Sequence, residues 1–422
     1  MKQKRVCLVV MALMLTLTGC SGQSFVKLAE PSYPETVAYD DYEARMAIRE
    51  ANALTGDFEE SLQEFALDSG TMVLSEAEGN VQYSPVSLYL ALALTTAGAE
   101  GKTREQLMQT LRAGNMTKDD LLEECGKLYR LLYREDGISR MKTSASLWLD
   151  SGRKLKNEFK KHAEVNFYAD VFSMDLQDEN TARAMGQWIS QKTSSQLTPE
   201  IRTEADTLMV LLNCLEFEDQ WMDAFLEENN QKDDFTREDG SVMSAEYMTI
   251  THNPYPCSLG EDFTRVSLSL KNSSIDFILP DEGVSAFALA SDPKGLKEVL
   301  TGGEETYAEV RLKIPKFDFT ADVDLAQTLR QMGAEDLFGM EADLTGICGE
   351  QLFLTGVKQQ SCIDVHEKGV SAAAFTEMMY AGSALMTDGV VEMHLDRPFI
   401  YAIRDQAGTI LFMGICEMPK AA

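Results

Sequence analysis

The chain has 422 residues, 44% of them hydrophobic and 25% charged, which is ordinary globular material. A formal net charge of −30 excludes the basic face that nucleic-acid phosphates require and disfavours adsorption on anionic lipid heads. It fits a soluble extracellular protein with some preference for basic partners.

In chain order, the first segment is a processing signal. Lys2, Lys4 and Arg5 form a positive region, and Val6 to Leu17 a short apolar run. At about 12 residues that run is too short to span a bilayer, which needs about 20. Leu17-Thr18-Gly19-Cys20 resembles a bacterial lipobox. Cleavage before Cys20 and lipidation of its thiol would leave the protein on the outer face of the cytoplasmic membrane; ordinary secretory cleavage is the alternative. Residues 1–20 are therefore expected to be signal peptide. Residues 21–49, largely polar with Pro31 and Pro34, read as a tether, and 50–422 as one domain without linker or repeat.

Within that domain Phe58, Leu62 and Phe65 recur at helical spacing. Ser84-Pro85 supplies a cap and a first-turn proline for the next helix. Val86 to Ala97 is apolar almost all round, so that helix is expected to be buried. Cys125, Cys214, Cys257, Cys348, Cys362 and Cys416 show neither CxxC nor CxxH spacing, so no metal site is expected, and their disulfide state stays open.

No catalytic constellation emerges. His366-Glu367 begins like HExxH, but position 370 is valine. Gly369-Val370-Ser371-Ala372-Ala373 lacks the last glycine of GxSxG. Neither an enzyme activity nor a cofactor is expected.

The stretch Glu367 to Pro398 stands out. Val370, Ala372, Ala374, Thr376, Met378 and Tyr380 share one face of a period-two pattern, and Ser371, Ala373, Phe375, Glu377 and Met379 the other. This is a half-buried strand pattern in residues too small to hold it in place, although an Ala-rich surface loop explains the segment alone equally well.

The run Glu367-Lys368-Gly369-Val370-Ser371-Ala372-Ala373-Ala374 resembles the hinge of a serpin reactive-centre loop. Further blocks resemble the serpin family in the family's own order. NVQYSPVSLYLALALTTAGAEGKTREQL begins at Asn80. Trp148 lies in ASLWLD, Trp188 in MGQWISQKTSSQL, and LMVLLNCLEFEDQW ends at Trp221. Leu279 to Gly283, Leu312 to Phe317 and Arg397-Pro398-Phe399 follow, so the resemblance covers nearly all of 50–420. It implies a mixed α/β (α+β) domain with three sheets, about nine helices and an exposed loop near the C-terminus. It also implies a monomeric suicide inhibitor of extracellular serine proteases, and more distantly of cysteine proteases. A non-inhibitory serpin, acting as a binding or carrier module, is the runner-up; the small-residue hinge speaks against it.

By the same resemblance Glu367, Gly369, Val370, Ala372, Ala373 and Ala374 form the hinge. Ser84, Ser87 and Asn213 form a polar gate under the parting strands, with Trp221 at the top of the opening. Gln359 stands where the family often has histidine; an amide both donates and accepts, so a working but retuned gate is expected. Phe375 replaces a usually small residue, on the outward face. The family's spacing from Glu367 puts the cut at Ser383-Ala384, whereas pocket chemistry prefers Leu385 or Met386. With no Arg or Lys in Glu377–Leu395, elastase-, subtilisin- or chymotrypsin-like targets are expected. After cleavage Val370 to Ser383 would insert as roughly 45 Å of strand. About 14 ladder residues at about 1 kcal/mol each give on the order of 10 kcal/mol, comparable with a whole domain's stability. The uncut form would then be a kinetic trap.

Overall fold

The computed structural model describes residues 26–194, 197, 201, 207–371 and 389–422. Helix Pro85–Gly98 is the pivot of the architecture. Ser84 caps it by accepting from Ser87 N, Pro85 opens it, and every one of its residues is buried. An all-apolar helix needs cover on every side. Here it lies between helices Gly56–Ser75 and Lys118–Leu132 and the two sheets. Phe58 and Phe65 of the first neighbour meet Tyr89 edge-on, with ring centroids 5.6 and 5.3 Å apart.

The first sheet has eight strands. In spatial order they are Val26–Ala29, Asp170–Met174, Arg140–Asp150, Met209–Gln220, Gly369–Val370, Lys358–His366 and Phe317–Asp324, with Arg134–Glu135 pairing on Arg140–Asp150. Helix Glu179–Lys192 covers its front, where Trp148, Phe172, Met185, Trp188, Leu212 and Cys214 form a cluster separate from the main core. The second sheet has nine strands. Its long member, Val242–Leu259, pairs with Gln231–Thr236 and Glu304–Pro315 along most of its length and with Phe263–Ser269 at its end. That continuity joins two of the three expected sheets into one. Eleven α-helices occur among the described residues rather than about nine; Ala286–Leu289 and Thr345–Cys348 are single turns.

The stretch read as a tether departs from expectation. From Val26 it belongs to the body: Val26–Ala29 pairs antiparallel with Asp170–Met174, and Tyr42–Ala51 is a helix. Tyr33 stacks on Tyr133 and Tyr168, and its hydroxyl accepts from Lys192 Nζ at 2.6 Å. The strand satisfies backbone groups on an otherwise open sheet edge, so it needs little hydrophobic run of its own. Cys125, Cys214, Cys257, Cys348, Cys362 and Cys416 are free thiols. No helix among the described residues is long and apolar enough to cross a membrane.

Candidate functional site

Two strands of the first sheet act as walls: Met209–Gln220, the near wall, and Lys358–His366, the far wall. Among the described residues they share no ladder with each other. Among the described residues, the two-residue strand Gly369–Val370, antiparallel to both, is the one strand that pairs with each of them. Gly369 sits opposite Gln220 and His366, and Val370 opposite Asp219 and Val365. The chain leaves the far wall at His366, turns through Glu367 and Lys368, and comes back between the walls. Two hinge residues are thus already seated, which the sequence pattern alone does not foretell.

Gly369 is obligatory here. Its φ is +155°, a region open mainly to glycine. A Cβ would overlap the Asp219 carbonyl oxygen and stand 2.8 Å from Gln220 Cα. Val370 is fully buried, as the strand pattern expects of its face. Ser371 has φ +52°, an uncommon conformation for a non-glycine residue, and its N–H donates to Asp364 O at 2.6 Å. Ala372, Ala373 and Ala374, Phe375 and the scissile window Ser383, Ala384, Leu385 and Met386 lie outside the described residues, as does Cys20.

The turn is fastened from above. Trp221 Nε1 donates to His366 O at 2.8 Å, and Trp221 N to Lys368 O at 3.2 Å. Phe225 N donates to Glu367 O at 3.1 Å, and its ring meets that of Trp221 edge-on. The Glu367 carboxylate pairs with Lys316 Nζ at 3.0 Å and accepts from Asn230 Nδ2. Burial works to raise the Glu367 carboxyl, but Asn230, Lys316 and the backbone outweigh it and hold it below its ordinary range. Lys316 is shared with Glu246 at 2.9 Å. Lys316 and Asn230 are hinge contacts that sequence reasoning missed. Lys316 lies in the block Leu312–Phe317, whereas nothing local marks Asn230.

The gate residues also come together. Gln359 on the far wall accepts from Ser84 N at 2.6 Å and donates to Ser84 O at 3.0 Å, so one amide closes both ends of the Ser84 backbone. Ser87 Oγ donates to Asn213 Oδ1 on the near wall. The helix start therefore holds both walls, one through Gln359 and one through Asn213. Among the described residues, three buried polar atoms along this line lack a hydrogen-bond partner: Asn213 Nδ2, Gln220 Oε1 and Asn230 Oδ1. Each such atom costs about 1–3 kcal/mol. Among the described residues the site shows no nucleophile–base pair; what it holds is a short strand lodged between two longer ones.

The family model for serpins, serine protease inhibitors, matches residues 60–419. The chain belongs to the serpin family. This serpin is 30% identical over 376 residues to an uncharacterized serpin-like protein of Methanosarcina acetivorans, covering 84% of this chain and 85% of that one. It is 29% identical over 358 residues to human antithrombin-III, covering 81% of this chain and 76% of that one. Native tengpin, a thermophilic serpin, superposes with a TM-score of 0.76 at 21% identity, over 92% of this chain and 97% of that one. This last likeness speaks for the fold alone. The mixed α/β architecture expected from the sequence is thereby shown, and the family is one of protease inhibitors rather than enzymes.

Proposed function

We propose that this serpin is a suicide inhibitor of extracellular serine proteases of elastase-, subtilisin- or chymotrypsin-like preference, anchored by a lipid on Cys20. The observation that carries the reading is the seated hinge: Gly369 and Val370 lie between two walls that do not pair with each other among the described residues. A protease that cuts within Ser383–Met386 frees the downstream end of this strand. The strand then extends from Val370 between the walls, each new residue gaining ladder bonds on both sides. The acyl-linked protease is drawn along, and its oxyanion hole and triad lose the geometry that deacylation requires. The wall contacts at Ser84, Ser87, Asn213 and Gln359 must yield for the strand to pass. The orphaned Asn213 and Gln220 atoms would find partners as it does.

Incubation with elastase followed by denaturing electrophoresis tests this. A heat-stable covalent adduct is the expected result. Clean cleavage with no adduct would instead give the fold a binding or carrier role.

A further inference from the structure

Beside the seated hinge lies a carboxylate that loop insertion, as derived above, does not use. Asp219 is opposite Val370 in the ladder, so the two side chains share the inward face, and Asp219 is 1% exposed. Its Oδ2 accepts from Ser273 Oγ at 2.5 Å and Asn272 N at 3.0 Å, and its Oδ1 from Gln220 N at 2.9 Å. Asn272, itself fully buried, ties this group to the rest of the molecule. Its amide donates to Ser139 Oγ at 2.7 Å and Asp136 Oδ2 at 3.0 Å, and it accepts from Arg45 Nη2 at 2.5 Å.

The charged and titratable groups facing this pocket come from several elements. They are Arg134 and Asp136 before the strand Arg140–Asp150, Arg45 on helix Tyr42–Ala51, Lys271 in the turn before Ser273, and Asp405 at the end of Phe399–Asp405. Across the hinge stand His366 and Glu367 with Lys316. Burial pushes the Asp219 carboxyl up to about 6, against the opposing pull of Ser273, Asn272 and the more distant Arg134. Val370 is part of what buries it, so departure of the hinge would let water reach the carboxylate.

We propose that Asp219 is a proton-responsive positioning residue of the hinge, whose neutral form favours the seated Gly369–Val370 strand and whose ionised form favours its release. The proposal rests on the loop-insertion reading. The sign follows from linkage: the state that binds the proton more tightly gains population as pH falls. Acid therefore seats the hinge, whereas neutral pH releases it.

Hydrogen–deuterium exchange of the amides at 369–371 in the full mature chain, corrected for intrinsic rates, provides the test. Protection is expected to be about tenfold greater at pH 5 than at pH 7.5, the factor that one pH unit of differential affinity supplies. In Asp219→Asn that ratio should fall to near one, with His366 left as it was. Ser273→Ala, which removes one donor to the carboxylate, should move the midpoint to higher pH. An equal ratio in wild type and Asp219→Asn, or an unmoved midpoint in Ser273→Ala, overturns the assignment. An elastase adduct with a flat profile refutes only this inference; a pH-responsive hinge without an adduct refutes only the inhibitory reading.

Discussion

At the scale of the residue, Gly369 and Glu367 carry opposite burdens. Gly369 admits the hinge to the sheet because it has no side chain to meet Asp219 and Gln220. Gly369→Ala is expected to unseat Gly369–Val370. Hinge amides should lose protection and the chain should become cleavable near Ser371, while the core, probed by denaturant, changes by less than about 1 kcal/mol. Glu367 holds the turn. Its carboxyl is depressed on folding, so the stability it contributes is complete above its ordinary value of 4.5 and fades as pH falls through the lower folded value. Glu367→Gln should thus lower the melting temperature at pH 7 and lose that effect in acid; an equal penalty at both ends would disprove the ion pair's role. Asp219, buried and raised, has the opposite sign: its ionisation weighs against the folded state as pH rises through about 6.

Among the elements, the N-terminal strand and its tyrosine are what the sequence hides best. Tyr33 joins Tyr133 at the end of helix Lys118–Leu132, Tyr168 in the loop before strand Asp170–Met174, and Lys192 at the end of helix Glu179–Lys192. Tyr33→Ala is expected to cost about 2 kcal/mol, read as a lower denaturant midpoint with an unchanged slope. That docking is illegible from sequence because a four-residue strand on a sheet edge takes its order from its partner's backbone. By contrast Ser84-Pro85 and the apolar Val86–Ala97 announce their helix locally, through a cap and a periodicity that need no partner. The gate stands between these cases. Gln359 is legible as a substitution in a resemblance, yet its two bonds to Ser84 emerge only when the far wall lies over the helix start. Asp219 shows the limit: in the run Leu215–Asp219 it reads as one more solvated acid, and its burial comes from the turn before Ser273, in the other sheet.

For the molecule as a whole, the loop-insertion reading makes the walls and the seated hinge a fold with a stronger arrangement still open to it. Nicking the loop with an elastase-like protease should raise the melting temperature by at least about 10 °C, since on the order of 10 kcal/mol of new ladder is at stake. A nicked protein that melts no later than the intact one would remove the mechanism and leave the architecture untouched.

The N-terminal strand also fixes a direction. Val26 lies beside Ser173, which is level with Leu149 and so with Met209, whereas Gly369 lies beside Gln220 at the other end of the same 12-residue strand. Val26 therefore lies roughly 35 Å along the sheet from the hinge, at the opposite pole. Held upstream of Val26 on a surface, the molecule would offer its bait outward, to whatever arrives from the surroundings. On the insertion reading, the strand that then zips down the sheet would swing the captured enzyme inward, toward that surface and away from its next substrate.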